Sequence, residues 1–406
     1  MPDQHAVLAP SSARRWMACT PSARLEELIP NHDTAYTREG TIAHAMGEHM
    51  LKWYLGQPRP FALDADVLGR RLRGKNGQGS PVPDDLMMRC AAEGPHPVDM
   101  ALTVHEGYVR LVLEDYAAAL LDDPDAVLLV EQRLKLDEYI PEGFGSSDAV
   151  LIAGDALHVY DLKFGKGVKV EAEENPQMMC YALGALLGPG ELYDIRRVFM
   201  TIMQPRLSHV STWETTAAEL LGWAERKLRP AAELAFRGEG ERVTGDHCRF
   251  CRAAAQCSAL RATCETAAPG PAPGLMGEEE LADALRVLPV IKAYISALED
   301  WTLARALEGT VYPGWKLVEG RSVRQIADQK AAMAALAAAG FDEGLYVRPK
   351  ELKTIGDLEK LLRRKGFQEL LGGLVTRSQG RPALVPDDDP RPPFSSAEND
   401  FKDINL

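Results

Sequence analysis

Several features common in other protein classes are scarce or missing in this 406-residue sequence. It contains no run of about 18 apolar residues, so we expect no membrane-spanning helix. Its seven cysteines come without a recognisable secretory signal, which argues against a secreted disulfide scaffold. Basic residues are outnumbered, and the net charge of −13 argues against a protein that coats nucleic acid nonspecifically. A local basic channel is still compatible with this charge.

The composition suits one large domain and one smaller domain. The chain is long enough for both, and 46% of its residues are hydrophobic. A Pro- and Gly-rich stretch predicts a linker at 267–276, which leaves a large domain at 1–266 and an accessory module at 277–380. Residues 56–100, rich in Pro, Gly and charge, are interpreted as an insertion, and residues 381–406 as a disordered tail.

Hydrophobic patterns predict an α/β fold in which helices flank a mixed central sheet. Strands are predicted near 126–134, 146–153, 156–163 and 195–204, and covering helices near 175–187 and 216–236. Gly154-Asp155 separates the second and third strands and predicts a β-hairpin. The C-terminal module is predicted to be a smaller, mainly helical α+β unit, with helices near 277–308, 328–339 and 355–371 and a strand near 314–318.

The predicted hairpin brings together residues that suit a divalent metal ion. Asp148 begins one strand, and Asp161-x-Lys163 ends the next. Mg²⁺ prefers oxygen ligands and takes one or two carboxylates from protein, which leaves places for water and a phosphate oxygen. Lys163 shares a strand face with Asp161, so it can stabilise charge that develops during phosphodiester hydrolysis. A surface salt bridge at a strand end is the alternative interpretation.

Two helical patterns add polar residues to this set. Gln177 and Tyr181 are four residues apart on a predicted helix that starts near Pro176, so they share one face. Upstream, another predicted helix carries His44, with Thr41 as its candidate cap. Helices with solvent-facing polar residues, and a structural histidine, are the alternative interpretations.

The order of these motifs resembles the RecB-like branch of the PD-(D/E)xK nuclease superfamily. The matching motifs are Gly40-Thr41-x-x-His44, Gly145-x-x-Asp148, Asp161-x-Lys163 and Gln177-x-x-x-Tyr181. The resemblance implies a restriction-endonuclease-like core in which His44, Asp148 and Asp161 bind Mg²⁺ or Mn²⁺. It also implies that Lys163 is catalytic and that Gln177 and Tyr181 position the substrate. Glu131, directly after the apolar run 126–130 of the first predicted strand, lies near this site or is an edge-strand charge.

The cysteines suggest a second metal site. Cys248-x2-Cys251-x5-Cys257 supplies three thiolates, and a tetrahedral site or a cubane cluster needs a fourth ligand. The pattern resembles the iron–sulfur type of RecB-like nuclease, which implies that Cys19 completes a [4Fe–4S] cluster. Zn²⁺ is the alternative at these cysteines, with His247 and Cys264 as substitute ligands. The two remaining cysteines, at 90 and 180, have no metal-ligand spacing and are expected to be buried thiols.

The resemblance implies a metal-dependent deoxyribonuclease, expected to be an exonuclease that acts on DNA ends in phage replication, recombination or repair. Its expected partner is DNA with a free end or a single strand, together with a single-strand-binding protein or helicase. The whole chain also resembles an uncharacterised phage and prophage family with a C-terminal extension, so the cytoplasm of a bacterial cell is the expected location. The alternative function is a non-catalytic DNA-binding scaffold. An RNA substrate also remains open, since no residue pattern here reads a 2′-hydroxyl.

Basic residues near the motifs are candidates for the DNA channel. They are Arg14, Arg15, Lys163, Lys166, Lys169, Arg196 and Arg197. For each of them, a solvated surface charge is the alternative interpretation.

Overall fold

The structure is a computed structural model that divides into two compact units, residues 1–295 and 296–406. It describes residues 6–30, 34–61, 63–65, 68–69, 72, 81–94, 96–267, 278–320, 324–341, 346–348, 351–352, 355–377, 380–386 and 392–393. The predicted linker at 267–276 lies almost wholly outside the described residues, as does part of the predicted insertion.

A mixed five-stranded sheet forms the centre of the first unit, so the predicted α/β fold is confirmed at that level. Its strands, in spatial order, are β1 (Val127–Lys135), β2 (Phe144–Ala153), β3 (Ala156–Leu162), β4 (Arg197–Gln204) and β5 (His209–Thr216). Strands β3 and β4 are parallel, and the other neighbours are antiparallel. Gly154, with φ of +54°, makes the β2–β3 turn. Strand β5 was not predicted.

The helices of the first unit cover both faces of this sheet. They are α1 (Ala13–Ala18), α2 (Ser22–Glu27), α3 (Ala35–Leu55), α4 (Asp84–Ala92), α5 (Pro97–Val104), α6 (Arg110–Asp122), α7 (Pro176–Leu187), α8 (Ala217–Trp223), α9 (Arg229–Arg237) and α10 (Ser258–Ala267). Five-residue π-helical turns join α5 to α6 (His105–Val109) and α8 to α9 (Ala224–Leu228).

One sheet face packs against α7. Val150, Leu157 and Met200 are buried there against Met178 and Leu183 of the helix. The helix begins where predicted because Pro176 suits the first helical position and the Asn175 side chain accepts hydrogen bonds from the first turn. We call this side the α7 face. This packing holds α7, and with it Gln177 and Tyr181, against the end of the hairpin.

The opposite face packs against α3 and the helices that follow it, and we call it the α3 face. Ala149, Leu151 and Tyr160 are buried there with Met46 and Met50 of α3. The helix begins earlier than predicted because Thr34 and Thr37 form a capping box before Ala35. Thr41 was therefore wrongly predicted as the cap, since it lies inside the helix.

The second unit has its own small core, formed by residues such as Leu336, Leu358 and Phe367. Its elements are α12 (Gln329–Ala338), α13 (Ile355–Leu371) and three antiparallel strand pairs, and α11 (Glu278–Leu307) runs across the boundary between the units. The pairs are β6 (Trp315–Gly320) with β11 (Gly380–Pro386), β7 (Arg324–Ile326) with β10 (Val375–Arg377), and β8 (Val347–Arg348) with β9 (Glu351–Leu352). Residues 381–386 of the predicted tail thus belong to a strand, and most of the remainder lies outside the described residues.

Candidate active site

The two carboxylates of the hairpin lie side by side. The register pairs Ala149 with Tyr160, which places Asp148 beside Asp161 one step along the strands. Asp161 is 3% exposed, and the Leu162 backbone N–H donates to Asp148 Oδ2 at 2.7 Å. The sequence spacing that suggested a common site therefore corresponds to a close pair in the fold.

Lys163 connects this pair to helix α7. Its Nζ lies 2.9 Å from Asp161 Oδ2 and donates to Asp161 Oδ1 at 3.1 Å and to Gln177 Oε1 at 3.0 Å. Gln177 Nε2 in turn donates to Asp161 Oδ1 at 3.2 Å and to the Tyr181 hydroxyl at 3.1 Å. The four side chains form one hydrogen-bonded network, which we call the lysine network.

His44 reaches the same site from the α3 face. Its Nδ1 lies 3.0 Å from Asp148 Oδ1, although the two residues are 104 positions apart in the sequence. The structure thus brings His44, Asp148, Asp161, Lys163, Gln177 and Tyr181 to one end of the sheet. We call this group the carboxylate site.

The electrostatics of the site depend on burial and on the pairing of opposite charges. Burial alone would lower the pKa of His44, but the Asp148 carboxylate outweighs it and raises that pKa to about 9. Burial would raise the pKa of Asp148, yet His44, the Leu162 N–H and Lys163 together lower it. For Asp161, burial dominates and raises the pKa, while Lys163 opposes that rise. Asp148 is therefore held ionised beside a protonated His44.

Glu131 lies next to the carboxylate site. The β1–β2 ladder pairs Val130 with Ala149 and Gln132 with Ser147, so Glu131 faces Asp148 at an interrupted step. Its φ of +53° is in the left-handed region, where non-glycine residues are strained. Burial and the Asp148 and Glu48 carboxylates raise its pKa to about 7. Of the two interpretations of Glu131, its position favours the one near the site.

Sequence reasoning missed one further group at this site, the hydroxyl of Tyr108. The residue is 2% exposed, and burial together with the charges of Asp148, Glu131 and Asp161 raises its pKa well above its usual range. No motif marks it, because its position depends on a π-helical turn that the sequence pattern does not indicate.

The donor chemistry of the carboxylate site suits a hard divalent cation, but the ligands do not converge. The buried Asp161 Oδ2 atom lies 2.9 Å from Lys163 Nζ, so a metal ion bound there would compete with the lysine for this oxygen. Within the described ranges, no three His, Cys, Asp or Glu side chains are grouped as metal ligands. Asp148 and Asp161 are instead neutralised by His44 and Lys163.

Cys19 and the C-terminal cysteines lie where the two ends of residues 6–267 come together, but within the described part of the chain no three of them are grouped as metal ligands. Cys19 follows α1, and its proximity raises the pKa of the His247 imidazole. Cys248 is buried and near enough to Cys251 and Cys264 to affect their pKa values. Burial, and then Glu26, raise the pKa of Cys251 to about 12. Cys257 lies between a 3₁₀ turn (Ala254–Gln256) and α10. The other two cysteines, at 90 and 180, are fully buried, as predicted.

Hydrogen bonds join the same two ends independently of any metal. Buried Glu26 accepts from Arg15 at 2.7 Å and from the Arg252 backbone N–H at 2.8 Å. The Thr20 hydroxyl donates to the Glu239 carbonyl, and Arg24 Nε donates to the Phe236 carbonyl. We call these contacts, with the nearby cysteines, the terminal junction.

A family match covers most of the chain. Residues 5–392 match the model of a family described as "Protein of unknown function (DUF2800)". The chain belongs to the DUF2800 family. The match leaves the prediction of a RecB-like nuclease neither confirmed nor contradicted.

One solved structure similar to this DUF2800 protein is titled "Crystal structure of SSO0001". It has 12% sequence identity, and the alignment covers 53% of this chain and 95% of that chain with a TM-score of 0.20. A TM-score this low supports no argument about a shared fold or function.

The predicted basic channel is only partly available in the DUF2800 protein. Arg196 and Arg197 pair with Asp194 and Asp155, and Arg15 belongs to the terminal junction. Lys166 and Lys169 are exposed on the loop after β3, close in sequence to Lys163, and Arg14 is exposed on α1.

Among the described residues, no helix combines the length and the apolar character needed to span a membrane.

Proposed function

We propose that this DUF2800 protein is a metal-dependent deoxyribonuclease, and specifically a RecB-like exonuclease that hydrolyses phosphodiester bonds at DNA ends. One observation carries the proposal. Asp148 and Asp161 lie side by side on β2 and β3, and Lys163 and Gln177 both hydrogen-bond with Asp161. Burying two carboxylates together is costly, because each disfavours the charged form of the other. Such arrangements of perturbed ionisable groups are concentrated at functional sites.

In this proposal Asp148 and Asp161 would hold Mg²⁺ or Mn²⁺, with His44 as a third ligand once its imidazole has lost its proton. When bound, the ion would supply a water of lowered pKa and would neutralise charge on the phosphate. Asp161 is suited to this role because its carboxylate is buried beside Asp148. Asp148 is suited because its neighbours lower its pKa and keep it ionised.

Lys163 and the residues of α7 act on the substrate side. The ammonium group of Lys163 is held by Asp161 and Gln177, so it is oriented before substrate arrives. A fixed positive charge stabilises a pentavalent phosphate without reorganisation during the reaction. Gln177 also holds the Tyr181 hydroxyl, so the two motif residues of α7 position the substrate as one unit.

The terminal junction is the proposed site of a [4Fe–4S] cluster held by Cys19, Cys248, Cys251 and Cys257. Thiolates suit both iron–sulfur clusters and Zn²⁺, so Zn²⁺ is the alternative occupant, with His247 or Cys264 in its ligand set. The effect of Cys19 on the His247 imidazole supports the placement, because it indicates that the N-terminal ligand lies near the C-terminal cysteine segment. A cluster here would tie the two ends of the nuclease unit together.

Cleavage of end-labelled single- and double-stranded DNA tests the proposed function. The protein should be purified without oxygen and assayed with Mg²⁺, with Mn²⁺ and with EDTA, beside Asp161→Ala. We expect degradation with either metal, none with EDTA, and a loss of at least about 10³-fold in the variant. Equal cleavage by Asp161→Ala would show that the site is wrongly assigned.

A non-catalytic DNA-binding scaffold is the second candidate. It is favoured by the internal pairing of Asp148 with His44 and of Asp161 with Lys163, and by the absence of a three-ligand group among the described residues. It predicts binding of the same labelled DNA in a gel-shift assay, with no cleavage in any metal.

A further inference from the structure

Tyr108 packs against helix α3, one turn from the carboxylate site, because Gly47 leaves room for its ring. The π-helical turn that carries Tyr108 lies against Pro205, where a Cβ on Gly107 would come within 2.5 Å of the proline Cβ. On the other side, a Cβ on Gly47 would lie 3.1 Å from the Tyr108 ring. Gly47 is three residues beyond His44 on α3, so the ring packs one helical turn from the metal-ligand candidate.

The hydroxyl of Tyr108 differs from those of other buried tyrosines. The Tyr160 hydroxyl donates to Asp115 Oδ2 at 2.9 Å, and the Tyr181 hydroxyl accepts from Gln177. Tyr108 Oη is fully buried and has no hydrogen-bond partner among the residues that the structure describes. A buried hydroxyl left without a partner costs about 1–3 kcal/mol, and such groups are usually satisfied by internal water.

The groups whose charges act on this hydroxyl are those of the carboxylate site. Asp148, Glu131 and Asp161 are the carboxylates that raise the pKa of Tyr108, and burial adds to their effect. The hydroxyl is therefore a protonated hydrogen-bond donor whose charged neighbours are carboxylates. Glu131 has a strained backbone conformation and lies opposite Asp148. Strain of this kind is concentrated at functional sites, which supports a role for Glu131 beside the carboxylate site.

We propose that Tyr108 is a positioning residue of the carboxylate site, whose hydroxyl donates through one buried water molecule to Glu131 and Asp148 and fixes their orientation. Partners of this kind behind metal-binding carboxylates set the geometry of the ligands without touching the substrate. This role rests on the proposed nuclease function. The test must therefore distinguish a failure of the Tyr108 role from a failure of the nuclease function.

The test uses a pair of Tyr→Phe substitutions with steady-state kinetics and thermal unfolding. For Tyr108→Phe we expect kcat to fall about 10–100-fold with KM changed less than about twofold, and a melting temperature equal to or above that of the wild type. Tyr160→Phe is the matched substitution, because it removes a hydrogen bond that the hydroxyl already makes to Asp115. Its melting temperature should fall while kcat stays at the wild-type value.

Wild-type kcat in Tyr108→Phe, alongside an inactive Asp161→Ala, would overturn the role of Tyr108 and leave the nuclease intact. An inactive wild-type protein would instead refute the proposed function. A crystal structure that resolves ordered water decides the matter without activity. A water within hydrogen-bond distance of Tyr108 Oη and of Glu131 or Asp148 is expected, and an apolar contact at that hydroxyl would overturn the proposal.

Discussion

The carboxylate site and the terminal junction are both assembled from distant parts of the sequence, but they are built from different bonds. In the carboxylate site the contacts join side chain to side chain. They bury charged groups, and removing these groups from water carries a desolvation cost. In the terminal junction, side chains bond mostly to the backbone across more than 200 residues, as Arg24 does to Phe236. The first arrangement places reactive groups, and the second fastens two chain ends. Damage to the first should therefore change chemistry, and damage to the second should change stability.

The largest effect on stability is expected from Cys251→Ser, which tests whether the terminal junction holds a cluster. Losing a tether between ends more than 200 residues apart should cost roughly 3–5 kcal/mol in the free energy of unfolding. Iron and acid-labile sulfide content should fall with it, measured on protein purified without oxygen. Cys90→Ala is the control, because that thiol is buried away from any metal spacing and should leave the iron content unchanged. Full iron content in Cys251→Ser would refute the assignment.

Glu26→Ala tests the part of the terminal junction that needs no metal. The substitution leaves Arg15 and the Arg252 N–H without their buried acceptor, so we expect a loss of about 2–4 kcal/mol in urea unfolding. Glu27→Ala is a matched control on the same helix, since Glu27 is exposed and pairs with Arg24 at the surface. Its effect should stay within about 0.5 kcal/mol. Similar losses in both variants would mean that the junction does not depend on Glu26.

The smallest effect concerns the charge pair in the carboxylate site. Folding raises the pKa of His44 from 6.5 to about 9, so the pair with Asp148 contributes its full stability below pH 6.5 and loses it as the pH rises through 9. In EDTA, urea unfolding of the wild type should weaken by about 1–2 kcal/mol more between pH 6.5 and 9.5 than unfolding of His44→Gln. The exposed His96 gives a control, because His96→Gln should keep the wild-type pH profile. Parallel profiles for wild type and His44→Gln would contradict the charged pair.

Local sequence patterns were enough to predict the elements whose bounds depend on residues close in the sequence. Apolar runs predicted the strands of the hairpin and the strand after α7, and Gly154 predicted the turn. Pro176 predicted the start of α7. Strand β5 escaped prediction because an edge strand with one solvent-facing side reads as polar. The early start of α3 depended on a cap at Thr34, outside the motif that drew attention to the helix.

The site was predictable only where a motif existed. His44 and Asp148 are brought together by the packing of α3 on the sheet, which no local pattern contains, so a family resemblance was needed to pair them. Tyr108 and the strained backbone of Glu131 had no such motif. Both depend on irregularities, a π-helical turn and an interrupted ladder, that are set by tertiary packing.

The most direct test of the division between the two regions is the single-turnover cleavage rate of Asp161→Ala and of Cys251→Ser, measured with Mn²⁺ at a temperature where both are folded by circular dichroism. We predict no metal-dependent cleavage by Asp161→Ala and a rate within about threefold of wild type for the folded fraction of Cys251→Ser. Cleavage retained by Asp161→Ala, or lost in folded Cys251→Ser, would contradict the account.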